Sequence, residues 1–244
     1  MKNCSQSVSV APFNLVANVW LLADSEGRRF LVDTGFGAER IALQLSLRRA
    51  GIEKRGDLTA VLLTHRHSDH GGNAVWAREK FGCPILCHEQ DAMVLAGDLA
   101  TPPLRRGIGP FYEEALCAVE DSRSLRFRVD DTFAVGAWRY GFTMYAAFGH
   151  TEGSVLIYHE PTKTLFTGDA LLSGVPIASF YQRFVLAVPA FSIDIDACRQ
   201  HLLTFLESPP EILQLCAGHG PFVGRDVARK LQALRTEQRG PVER

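Results

Sequence analysis

Short apolar runs dominate the first half of the chain and are separated by polar turns. Residues 16–22 and 30–33 are two such runs around Asp24-Ser25-Glu26-Gly27, a pattern that predicts a β-hairpin. Asp33-Thr34-Gly35-Phe36-Gly37 breaks the run, and residues 39–50 then carry Ile41 and Leu45, with Leu43 and Leu47 less regularly, at the spacing of an amphipathic helix. Residues 58–63 form another apolar run. Ala74, Val75, Ala77 and Phe81 give helical spacing over 72–81, so a strand hands over to a helix in between. Residues 84–87, 125–129, 133–135, 140–148, 154–159 and 164–167 read as further strands, and 194–206, 213–216 and 227–236 close the chain as helix, strand and helix. Strands alternating with helices in each half predict an α/β (α+β) architecture of two packed sheets with helices outside.

Two segments fit this scheme poorly. Residues 97–124 hold Pro102-Pro103, Arg105-Arg106 and a short helical pattern at 111–119; residues 173–193 are rich in Phe and Pro. Long irregular stretches inside one domain serve as covers over a site or as insertions. Both are therefore expected to wall a substrate pocket, with Tyr112, Tyr181 and Phe184 as substrate-facing candidates. Phe180 and Phe191 suit a core equally well, and Arg105 and Arg106 read as solvated.

At 244 residues the chain is expected to form one domain, residues 1–244. A net charge of −1 with 22% charged residues provides no basic field, which argues against nucleic acid or an anionic membrane surface as partner and for a small-molecule substrate. The N-terminal residues lack the apolar core of a secretory signal, and no stretch approaches the roughly 20 apolar residues of a membrane span. Six cysteines without a C-x-x-C pair suit reduced thiols, so a cytoplasmic setting is expected. Cys83 and Cys87 read as inert buried thiols. The oligomeric state stays open, a homodimer included.

Chemistry concentrates at Thr64-His65-Arg66-His67-Ser68-Asp69-His70-Gly71-Gly72. One divalent ion takes about four ligands, and donors this close in sequence cannot all surround one ion without straining the backbone, so the cluster suits two ions side by side. Further donors follow in Gly-flanked turns after strands: His150 in Phe148-Gly149-His150-Thr151-Glu152-Gly153-Ser154, Asp169 in Thr167-Gly168-Asp169-Ala170, and His219 in Ala217-Gly218-His219-Gly220. Small neighbours let the backbone crowd an ion. His88, His159 and His201 lack such partners and read as packing or surface residues. Asp33, taken alone, reads as a turn cap.

In identity and order these residues resemble the metallo-β-lactamase superfamily, with its H-x-H-x-D-H motif followed by His, Asp and His. The likeness spans nearly the whole chain and includes the Asp33-Thr34-Gly35 turn. It implies a four-layer αββα sandwich. It also implies a first metal on His65, His67 and His150, a second on Asp69, His70 and His219, Asp169 bridging them, and Asp33 orienting a ligand. The two divalent ions, expected to be zinc with iron or manganese as alternatives, would share a hydroxide that attacks a carbonyl or phosphoryl centre, with Asp69 as the catalytic residue that steers it or relays a proton.

Subfamily patterns narrow the activity. True zinc β-lactamases typically carry cysteine or serine where this chain has Asp169. Glyoxalase II-type thioesterases share the aspartate but usually follow it with Gly-Cys-Gly-Arg; here the stretch is Leu171-Leu172-Ser173-Gly174-Val175-Pro176. The resemblance thus points to the bridging-aspartate, glyoxalase II/lactonase-like branch and to a dinuclear hydrolase of an ester, thioester or lactone. The alternatives are a mononuclear non-haem iron oxidoreductase of the persulfide dioxygenase type, or β-lactamase or phosphodiesterase activity on the same scaffold.

Overall fold

Alternate residues of the central strands face two different apolar layers, and that alternation organises the fold. The computed structural model describes residues 9–10, 17–102, 104, 125–174 and 184–239. A six-stranded sheet runs in the order β1 (Ser9–Val10), β2 (Trp20–Ala23), β3 (Arg29–Val32), β4 (Ala60–Leu62), β5 (Ile85–His88), β6 (Asp131–Phe133). A five-stranded sheet contains β7 (Gly136–Ala137), β8 (Phe142–Ala146), β9 (Val155–His159), β10 (Thr164–Gly168) and β13 (Gln214–Ala217), with β13 on the outer side of β10. β11 (Leu171–Leu172) and β12 (Val185–Leu186) form a separate pair.

Trp20, Leu22, Phe30, Val32 and Leu62 of the first sheet meet Phe142, Met144, Val155, Ile157 and Phe166 of the second in one buried cluster. The intervening Leu21, Leu31, Val61 and Ile85 pack outward against α1 (Arg40–Arg49), α3 (Ala74–Phe81) and α4 (Glu89–Ala96). Leu156, Tyr158, Leu165 and Leu215 likewise pack outward, against α5 (Ile195–Glu207) and α6 (Val227–Arg239). Helix, sheet, sheet, helix is the four-layer arrangement. Among the described residues no helix is long and apolar enough to cross a membrane.

Several sequence expectations need correction. Residues 125–129 form no strand. Leu125, Phe127 and Val129 do alternate, but they pack on the helix-side cluster, and the Phe127 amide bonds to Leu95 rather than to a neighbouring strand. Pairing instead begins at Asp131, and of the strand expected at 133–135 only Phe133, the last residue of β6, is in a strand, with β7 starting at Gly136. Helix α4 was not foreseen, because eight residues give too few apolar repeats to show a period; its signals are acidic residues in the first turn and a left-handed Gly97 after its end. Expected helix 72–81 is preceded by a separate turn, α2 (Ser68–Gly71), which carries Asp69 and His70. The strand expected from residue 140 starts at Phe142, after a tight turn with Tyr140 at φ +61.

Candidate metal centre

Parallel pairing of β3 with β4 and of β10 with β13 brings their C-terminal ends to one rim, where β8, also parallel to β10, ends as well. Each candidate ligand sits just past one of these ends: Asp33 after β3, His65 to His70 after β4, His150 after β8, Asp169 after β10 and His219 after β13. The rim is stitched together by backbone bonds, from Val155 N to Thr64 O at 3.0 Å and from Gly218 N to Gly168 O at 2.8 Å.

All seven predicted ligands converge there in three overlapping donor groups: His65, His67 and His150; His65, His70 and Asp169; Asp69, His70 and His219. A tetrahedral ion with bonds of about 2.05 Å spaces its ligands roughly 3.3 Å apart. His65 Nε2 lies 3.3 Å from His150 Nε2, His70 Nε2 3.2 Å from Asp169 Oδ1, and His219 Nε2 3.4 Å from Asp69 Oδ2 and 3.3 Å from Asp169 Oδ2. His67 Nε2 is buried without a hydrogen-bond partner among the described residues, and His70 Nε2 and Asp169 Oδ1, though 3.2 Å apart, form no well-aligned hydrogen bond, a costly state for buried polar atoms unless something binds between them. The donor set, spacing and orphaned atoms all fit divalent metal.

In three of the rings the other nitrogen is engaged. Thr64 donates its hydroxyl to Asp33 Oδ2 at 2.8 Å, so His65 Nδ1, 3.1 Å from that hydroxyl oxygen, is its donor. His70 Nδ1 donates to Asp33 Oδ2 at 2.8 Å. Ser192 gives its proton to Val188 O, so His150 Nδ1 donates to Ser192 Oγ at 3.1 Å. With the δ nitrogens committed, the ε nitrogens of His65, His70 and His150 are presented to the cluster.

Burial drives His65 and His67 well below the usual imidazole range and His150 down to about 4, keeping all three neutral. Burial also opposes charge on His70 and His219, but Asp69 and Asp169 outweigh it. His70 is held well above its usual value, with Asp33 contributing, and His219 is raised to about 10. Burial works against the two carboxylates as well, yet His70 and His219 bring Asp69 down to about 2 and hold Asp169 well below the usual range. One triad is neutral imidazole; the other is a charge-compensated set in which protons stand where a cation would.

Close backbone approach is required at Gly218. A Cβ there would collide with Asp169 Oδ1 and lie 2.7 Å from His70 Cε1.

A family model described as "Metallo-beta-lactamase superfamily" matches residues 13–219, a span that contains every one of these candidate ligands. The chain belongs to the metallo-β-lactamase superfamily. Within it, the chain is 27% identical over 169 residues to "Probable metallo-hydrolase YybB" of Bacillus subtilis, covering 66% of this chain and 65% of that protein. It is 29% identical over 157 residues to a hydroxyacylglutathione hydrolase of an Enterobacter species, covering 64% of this chain and 47% of that one. The chain thus spans less than two thirds of the length of these curated relatives. Its fold is similar to that of TTHA1623 in a di-iron-bound form, at 23% identity and a TM-score of 0.60, over 90% of this chain and 93% of the other.

Other predicted residues fare differently in this superfamily member. Tyr112 and Tyr181 lie outside the described residues, as do Phe180, Arg105, Arg106 and the helical pattern at 111–119. Phe184 is partly buried and packs on the helix-side cluster of the second sheet, and Phe191 packs beside Leu104 and Ala190. His88 and His201 flank the Phe148 ring, and His159 bonds to Thr162, as packing residues do. Sequence reading missed Thr64 and Ser192, which orient His65 and His150, and it left Arg66, Asp91 and Glu152 unassigned. A charge wedged between two ligand histidines was the available signal, since a buried arginine needs an acid.

Proposed function

We propose that this superfamily member is a metal-dependent hydrolase that binds two divalent ions side by side and cleaves a small acyl substrate: an ester, a thioester or a lactone. The observation that carries the reading is the pair of donor triads with Asp169 between them, its oxygens 3.2 Å from His70 Nε2 and 3.3 Å from His219 Nε2 on one side and 3.8 Å from His150 Nε2 on the other. His65, His67 and His150 would hold one ion, Asp69, His70 and His219 the second, with Asp169 shared. Imidazole and carboxylate suit zinc, and also iron or manganese. When bound, such a pair supplies Lewis acidity that activates water at neutral pH and offsets charge on an attacked acyl oxygen.

The chain's own groups do the rest. The Asp69 side chain, 20% exposed against 14% for Asp169, is the more accessible of the two donor carboxylates and is placed to steer a water or relay a proton. Thr101 on the first long insertion bonds to Arg66, Ser192 on the second holds His150, and Leu104 packs with Ala190. Those anchors support the described parts of the two insertions, at Thr101, Leu104 and residues 184–193, as walls beside the His65, His67 and His150 triad. Similarity to hydroxyacylglutathione hydrolase supports an acyl substrate. The free buried thiols of Cys83, Cys87, Cys198 and Cys216 suit a reducing, cytoplasmic setting.

Elemental analysis of protein purified without added metal, paired with hydrolysis of a thioester, lactone, ester and phosphodiester panel, tests this. About two zincs per chain with acyl hydrolysis is the expected result. A single iron, no hydrolysis and oxygen uptake with a persulfide would overturn it in favour of an oxidoreductase.

A further inference from the structure

Arg66 lies between two ligand histidines, yet its guanidinium turns away from the donor cluster into a buried acidic pocket. Its Nε donates to Glu152 Oε2 at 2.8 Å, its Nη2 donates to Thr101 Oγ1 at 2.8 Å, and Asp91 Oδ1 lies 3.9 Å from Nε. Asp91, wholly buried near the start of α4, accepts the Thr151 hydroxyl at 2.8 Å and the Gly153 amide at 2.7 Å. Every one of the three residues after His150 is therefore tied down. Thr151 and Gly153 are held by Asp91, and Glu152 is held by the residue between His65 and His67.

We infer that the Arg66–Glu152 ion pair is a clasp that sets the spacing of the His65, His67 and His150 triad, making Arg66 a positioning residue for one metal of the pair. The inference rests on the dinuclear reading above and deepens it. A buried guanidinium is stable only when paired and hydrogen-bonded, so the clasp has one low-energy geometry. That geometry fixes two loops 86 residues apart in sequence, each carrying ligands of the same triad. With Glu152 and Asp91 alongside, Arg66 contributes no net positive charge toward a substrate anion. The second triad is oriented by other groups: Asp33 holds His70, and the Asn18 side chain holds the Gly218–Gly220 loop through Ala217 O at 3.0 Å and Gly220 O at 2.7 Å. Selectivity between the two metals follows from that separation.

The test compares wild type with Arg66→Met, Glu152→Gln, the double variant and Arg66→Lys, using zinc affinities from chelator competition and ring ¹⁵N resonances of the metal-free proteins. In Arg66→Met and Glu152→Gln one zinc is expected to bind about 10- to 100-fold more weakly and the other unchanged. The double variant should be no worse than the poorer single, since the partners act as a unit, and Arg66→Lys should recover part of the loss. In metal-free protein, the resonances of His65, His67 and His150 should move while those of His70 and His219 stay. Unchanged affinities and resonances, or equal weakening of both zincs, overturn the clasp. If Arg66→Met does not fold, the near-isosteric Glu152→Gln and the charge-retaining Arg66→Lys carry the test. If wild type binds no zinc, the hydrolase reading fails, and the metal-free ring resonances alone decide the clasp.

Discussion

Asp33 Oδ2 accepts a hydrogen bond from His70 Nδ1 at 2.8 Å and, at the same distance, from the Thr64 hydroxyl, whose oxygen faces His65 Nδ1. One carboxylate therefore orients a ligand in each triad, directly in the second and through Thr64 in the first. Its backbone sits at φ +60, in the left-handed region that aspartate tolerates better than most residues, and its Oδ1 also accepts the Thr64 amide at 2.8 Å.

Asp33→Asn keeps the shape but turns an amide donor toward groups that themselves donate. Both zincs are expected to bind about 10- to 100-fold more weakly, in contrast to the single-site loss expected for Arg66 variants. Chelator competition on the purified variant checks this; normal affinity at both sites would contradict the shared-orientation role.

Gly218→Ala would drive a methyl group into Asp169 Oδ1 and against the His70 ring. The expected outcome is loss of the second zinc together with about 1–3 kcal/mol of stability, since a rigid rim has no room to relax. Metal content and urea denaturation, read on the same sample, decide it.

Metal binding should release protons from one triad only. At neutral pH in the metal-free protein His219, raised to about 10, and His70, held well above its usual value, carry protons, whereas His150, near 4, and His65 and His67, both held well below the usual imidazole range, do not. A metal entering the second triad displaces about two protons and its affinity climbs as pH rises; the all-histidine site should show neither effect near pH 7. Titration calorimetry in buffers of different ionisation enthalpy measures the release, and no proton release on either binding event would refute the assignment.

Asp24 offers a pH test away from the metal. Burial disfavours its charge, but Arg28 and the amides of Arg28 and Glu26 overcome that and hold its carboxyl below the ordinary value of 3.8. A lowered native pKa means stability that is fully present above the unfolded value and is lost as pH falls through the native one. Asp24→Asn should therefore cost about 1 kcal/mol at pH 7 and progressively less below pH 4. Denaturation of both proteins at pH 7 and pH 3 gives the comparison, and a cost independent of pH would rule out the charge as its source.

The candidate donor set was legible in the chain because metal chemistry restricts residue type. His65, His67, Asp69, His70, His150, Asp169 and His219 announce themselves as imidazoles and carboxylates in Gly-flanked turns after apolar runs, and such turns fall at strand ends. The central strands were legible for a similar reason, as Phe30 to Val32 and Val155 to His159 are buried nearly throughout and need no polar partner. Residues 125–129 misled because alternation reports burial of every second side chain, and here a helix-side cluster buries them without a strand partner. Pairings such as Arg66 with Glu152 and His150 with Ser192 carry no local signature at all. Each joins residues tens of positions apart, and only the stacking of two sheets with their strand ends on one rim brings them within a hydrogen bond.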